Sequence, residues 1–130
     1  MPAGEAGIVS KPSPRPVAET VARLTAILSA KGVTLFAVID QAAEARTAGL
    51  ELRDTVLVIF GNPAAGTPVM AAYPLAAIDL PLKVVIWDDG GQTMVSYDSA
   101  AALAARHGLP ADLAANLAAA GPLTDALVAP

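Results

Sequence analysis

The chain contains no cysteine. Disulfides, thiolate nucleophiles and zinc-thiolate centres are therefore excluded. It has a single histidine, His107, so a histidine-rich metal site is excluded, and any Ser-His-Asp arrangement would have to use that residue. No G-x-S-x-G elbow accompanies it. Aromatic residues are scarce, with two Phe, two Tyr and one Trp. Charge is also scarce, at 15% of residues with a net of −4, and no run of Lys or Arg occurs. Nucleic-acid binding needs a basic footprint, and membrane-surface binding a basic amphipathic helix. Neither partner is expected. The first sixteen residues carry Glu5, Lys11 and four prolines but no apolar core, so no signal peptide is read there, and a cytoplasmic location is expected.

What is present is apolar, at 55% of the chain, and much of it is alanine. Alanine buries little area, so Val, Leu and Ile must fill the core. A surface so poor in charge suits contact with a second subunit, and a homodimer is expected. The longest uncharged run, Thr55 to Ile78, has the length of a membrane span. Gly61, Asn62, Pro63, Gly66, Pro68 and Pro74 interrupt it, so it reads as strand, loop and short helix.

Along the chain, Gly7 to Ser10 reads as a short strand. A helix over Pro14 to Lys31 comes next, with Ser13 as its N-cap and Gly32 beyond its end. Its face is Val17, Thr20, Val21, Leu24, Ile27 and Leu28. Val33 to Ile39 is almost wholly apolar and reads as a strand in the middle of a sheet. A short helix over Gln41 to Thr47, a strand at Thr55 to Phe60 and helical turns between Gly66 and Ala77 come after it. Leu82 to Trp87 and Gln92 to Tyr97 form a hairpin around Asp88-Asp89-Gly90-Gly91. Asp98-Ser99 caps a helix reaching Arg106, and Ala111 to Ala120 forms another. Residues 121–130 read as a short helix or a loosely ordered tail, as do 1–6 as a tail. No linker divides the 130 residues into two domains.

FAVIDQAAEARTAGLEL (Phe36 to Leu52), LVIFGNP (Leu57 to Pro63) and IDLPLKVVIWDD (Ile78 to Asp89) together resemble the DUF302 family of small bacterial and archaeal proteins. The resemblance runs from about Gly7 to Leu127. It implies an α+β fold, TBP-like, with one mainly antiparallel sheet of about five strands and helices on one face. It also implies dimers, and brings no assigned activity or cofactor. Where the family pattern has Asp-His, this chain has Asp40-Gln41.

Four polar residues stand out as ligand-binding candidates: Asp40, Asn62, Asp79 and Lys83. Asp40 ends an apolar strand, where a carboxylate can cap the next helix. It is also the one candidate general base. With Glu44 one turn on, it is a weak candidate for a hard cation such as Mg²⁺. Asn62 before Pro63 is a turn device that opens a loop. Lys83 sits inside an apolar strand, where a lysine either snorkels or needs a partner, and Asp79 is the nearest carboxylate. If the strands flanking 61–81 are antiparallel neighbours, Asn62, Asp79 and Lys83 gather at one sheet end. If the strands ending at Ile39 and Phe60 are parallel, Asp40 joins them. The expected function is a dimeric small-ligand-binding or accessory module, with a shallow polar site for a small anion near Asn62 and Lys83. The alternatives are an enzyme with Asp40 as base and Lys83 as electrostatic clamp, or a protein-interaction module.

Overall fold

A computed structural model describes residues 7–130. Residues 1–6 lie outside the described residues. The order is β1 (Ile8–Ser13), α1 (Val17–Ala30), β2 (Thr34–Asp40), α2 (Gln41–Thr47), β3 (Thr55–Gly61) and α3 (Pro63–Ala72). A 3-10 turn (Pro74–Ile78) leads to β4 (Leu82–Asp89), β5 (Gln92–Asp98), α4 (Ala100–His107), α5 (Ala111–Ala115) and α6 (Ala120–Val128). The five strands form one sheet in the order β1-β5-β4-β3-β2, and every neighbouring pair is antiparallel. This is the α+β architecture expected from the sequence.

Prolines explain the displaced start of the first helix. Pro12, Pro14 and Pro16 alternate, and a residue preceding proline is pushed out of the helical region. Ser13 therefore stays extended and Arg15 non-helical, β1 runs on to Ser13, and α1 begins directly after Pro16. Ser13 is not the N-cap. Its hydroxyl instead accepts from Arg15 N at 3.2 Å and pairs with Thr20 Oγ1 at 2.8 Å. The helix face is as expected: Val17, Thr20, Leu24 and Leu28 are buried.

Cross-strand partners share a face of a sheet. On the helix side lie Val56, Val58 and Phe60 of β3, Leu82, Val84 and Ile86 of β4, and Val95 and Tyr97 of β5. These side chains form the core with α1, α3, α4 and α6. Residues 121–130 are not a loose tail, because α6 buries Ala120, Leu123, Thr124 and Leu127. Lys11 ties β1 to that helix: its Nζ donates to Thr124 Oγ1 at 2.7 Å and Asp125 Oδ1 at 2.8 Å. Leu57, Ile59, Lys83, Val85, Trp87 and Met94 occupy the opposite face, half-buried and outside the core.

Two local features set the sheet ends. The β4–β5 hairpin turns through Gly90 and Gly91, both at positive φ (60° and 100°), the conformation a tight twisted hairpin needs. Asp88 Oδ1 closes it by accepting from Gly91 N at 2.9 Å. β2 is an edge strand, not a central one. Its apolar sequence is not matched by burial: Leu35, Phe36 and Val38 stay exposed, and the register slips between Leu35 and Ala37. An apolar run reports what a strand could bury, not how many neighbours it has.

Candidate functional site

The antiparallel pairing of β3 with β4 sets Phe60 opposite Leu82. Asn62 and Pro81 consequently meet just beyond the same end of the sheet. Asn62 caps α3, its Oδ1 accepting from Ala64 N at 3.0 Å, with Pro63 in the first turn. This helix starts earlier than the turns expected from Gly66 onward, because the asparagine both ends β3 and caps α3. The peptide bond Leu80–Pro81 is cis. α5 ends at Ala115 with Asn116 as its C-cap, breaking the single helix expected over 111–120, and Asn116 Nδ2 donates to Ala65 O at 3.1 Å.

These pieces form a partly open cavity of about 310 Å³, with Phe36 and Asn62 exposed at its wall. Phe36, Phe60, Met70, Leu80, Pro81 and Leu117 supply apolar wall. Its polar side chains are Asn62, Thr67 and Asn116, and among the described residues no charged side chain lines it. A Cβ at Gly61 would make ordinary contacts, at 3.4 Å from Pro81 Cβ and 3.6 Å from a ring carbon of Phe36. Gly66 also lines the cavity but has room, with only Met70 Cε at 3.8 Å from a built Cβ.

The other sequence candidates have other tasks. Asp79 lies near the cavity but faces α4, not Lys83. With the carboxylate ionised, His107 Nε2 donates to Asp79 Oδ2 at 2.6 Å and Arg106 Nη1 donates to the same oxygen at 2.9 Å. Burial works against the Asp79 charge. The hydrogen bonds from His107 and Arg106, with the charge of Arg106, outweigh it and hold the carboxyl below its ordinary value. Hydrogen bonding to Asp79 in turn raises Arg106. Lys83 sits on the opposite face of the sheet, paired with Ile59, and its Nζ reaches only Pro81 O at 3.4 Å. Among the described residues no carboxylate takes it up, so the lysine snorkels along the sheet. Lys83→Met is accordingly expected to leave stability within about 0.5 kcal/mol of the parent in a thermal melt. A loss near the roughly 3–5 kcal/mol of a broken buried pair would reject this geometry.

Asp40 is elsewhere. β2 and β3 are antiparallel, so Asp40 pairs with Val56, roughly 10 Å along the strand from Ile59 and on the other face from Lys83. Its Oδ1 caps α2 by accepting from Ala43 N at 2.9 Å. Asp40 and Lys83 therefore cannot act on one small substrate as base and clamp. Glu44 is exposed in the same first turn, and among the described residues no three His, Asp or Glu side chains are placed to hold a metal ion. The expected anion finds no cation in the cavity wall. Asn116 carries no motif that would single it out in the sequence, although it is the single amide in the alanine-rich stretch from Ala111 to Ala120.

Comparison with known proteins places this geometry among relatives. The family model described as "Domain of unknown function DUF302" matches residues 9–125. A crystal structure of an uncharacterized conserved DUF302 protein from Bacillus stearothermophilus superposes with a TM-score of 0.80, at 20% identity, covering 94% of this chain and 95% of that one. That likeness establishes the fold. Among curated proteins, "Fluoride-specific ion channel FluC 1" of Brucella suis is 39% identical over 113 residues, which is 85% of this chain and 44% of the relative. FluC 1 of Brucella abortus matches at the same identity over 42% of its length. The chain thus spans less than half the length of these relatives. No described helix is long and apolar enough to cross a membrane.

Proposed function

The chain belongs to the DUF302 family, and from that premise we propose that it is a small-ligand-binding accessory module whose site is the cavity between β3, α3 and Asn116. The observation that carries this reading is the cavity itself. It has the size of the smaller ligand pockets, a mainly apolar wall and a few polar groups able to orient a guest. The Brucella relatives support the accessory role, since the region like this chain is less than half of a protein named as a channel. With no described helix suited to crossing a membrane, sensing a ligand carries over to this chain more readily than conducting an ion.

Gly66 offers the test. Gly66→Leu adds a side chain where the wall has space, on a helix that gains from losing a glycine. Stability should be unchanged or higher by up to about 1 kcal/mol. Native mass spectrometry of the parent should show a co-purified small molecule that the variant lacks. A parent and variant that both carry the same bound mass would place the ligand outside this cavity, and a parent with no bound mass in any preparation would count against the reading.

The module is further proposed to act as a homodimer. Support comes from the apolar sheet face around Leu57, Ile59, Val85 and Trp87, and from the exposed Leu35, Phe36 and Val38 on the edge strand β2. Sheet edges of this kind are prone to pairing. Light scattering at micromolar concentration should return twice the 13.0 kDa chain mass, and a monomer mass throughout would overturn it.

A further inference from the structure

Resting on the cavity as the ligand site, we infer that its guest is a neutral molecule with an apolar body and one amide-type head, a group that donates and accepts side by side. The apolar body is dictated by the wall. An ion moved into it would lose part of its hydration with no countercharge to replace it, because among the described residues no charged side chain lines the cavity. The nearest candidates for a countercharge are committed or turned away: Asp79 is held by His107 and Arg106, and Lys83 is on the opposite sheet face.

The head is dictated by the two asparagines. Each has spent one half of its amide on the same turn of α3. Asn62 uses its oxygen to accept from Ala64 N, and Asn116 uses its nitrogen to donate to Ala65 O. Those bonds fix which way each amide points. The groups left for a guest are the NH₂ of Asn62 as donor and the carbonyl of Asn116 as acceptor. An amide answers both. A carboxylate would satisfy Asn62 but set a second acceptor against Asn116. An ammonium would satisfy Asn116 but set a donor against the NH₂ of Asn62. A bare hydrocarbon would fill the wall and leave both groups unanswered.

Four probes of one size separate these cases: benzamide, benzoate, benzylamine and toluene, titrated into the full chain and followed by NMR. Benzamide should bind about tenfold more tightly than toluene. Benzoate and benzylamine should bind roughly tenfold more weakly than toluene, or not detectably. Two variants sharpen the readout. Asn62→Asp keeps the capping oxygen but removes the donor, so benzamide should fall to the level of toluene and benzylamine should gain. Asn116→Leu should abolish the preference for benzamide and leave toluene bound. If toluene binds and benzamide is no better, or if benzoate or benzylamine matches benzamide, the ligand class is wrong and the cavity stands. If no probe binds the parent, the cavity itself is not a ligand site, and both readings fall.

Discussion

Replacing Phe60 with alanine should lower the unfolding free energy by about 3–5 kcal/mol, the largest effect expected of any single change in this chain. Phe60 is 0% exposed and lies where the core meets the cavity. Truncation removes the transfer energy of an aromatic ring and merges the space it leaves with the cavity beside it. The neighbouring Leu82 and Val84 stand on a hydrogen-bonded strand and can move into the gap only slightly. Urea unfolding should show the midpoint shifted at constant slope. As a control, Ile78→Ala should change stability by less than about 0.5 kcal/mol, because Ile78 is 75% exposed. A Phe60→Ala cost no larger than that of Ile78→Ala would mean that the end of β3 is not packed as described.

The two outcomes, one aromatic essential and one large aliphatic nearly irrelevant, mark what hydrophobicity alone conveys. Helical spacing in α1 is enough to name Leu24 and Leu28 as core, since a face repeating every three or four residues has one way to pack. The two glycines at 90 and 91 are enough to name the hairpin. β2 is misplaced by its sequence because an apolar run says nothing about which strands flank it. That is decided by β3, which has β4 on its other side.

The cavity is half legible. The FGNP and LPLK motifs point to the end of the sheet where the cavity lies, and antiparallel pairing of β3 and β4 brings Asn62 beside Pro81. Lys83 draws attention as a charge in an apolar strand, but strand alternation turns it away from the helices. Asn116 contributes from a segment more than fifty residues later than Asn62 (its partner Ala65 is 51 positions away), which no local pattern encodes.

The same distance problem conceals the partners of Asp79 and leads to the second large effect. Lys83 lies four residues on and is the natural partner in sequence, yet α4 delivers Arg106 and His107 from 27 and 28 positions away. Asp79→Asn keeps the shape of the side chain but replaces charge-assisted hydrogen bonds by neutral ones at a mostly buried oxygen. Bonds of that kind contribute about 1.5–3 kcal/mol, and a loss in that range is expected near neutral pH. The His107 side should account for most of it, since that ring is 11% exposed while Arg106, at 45%, is screened by water and salt. The pH dependence carries a definite sign. The carboxyl of Asp79 is held below its ordinary value in the folded state, so its stabilisation is fully present above the ordinary carboxylate range. It is lost as the pH falls through the depressed value. Parent and variant should therefore differ fully above about pH 5, and the difference should shrink below about pH 4, where the unfolded chain takes up the proton first. Because Asp79 directly precedes Leu80 and Pro81 in the cavity wall, the loss should also loosen that wall, with hydrogen exchange rising at Leu80 and Leu82 before it rises at Val95 in the centre of the sheet. Melting curves for parent and Asp79→Asn that superimpose at pH 7, or that diverge further as acid is added, would show that this carboxylate is not the bond between α4 and the cavity lip.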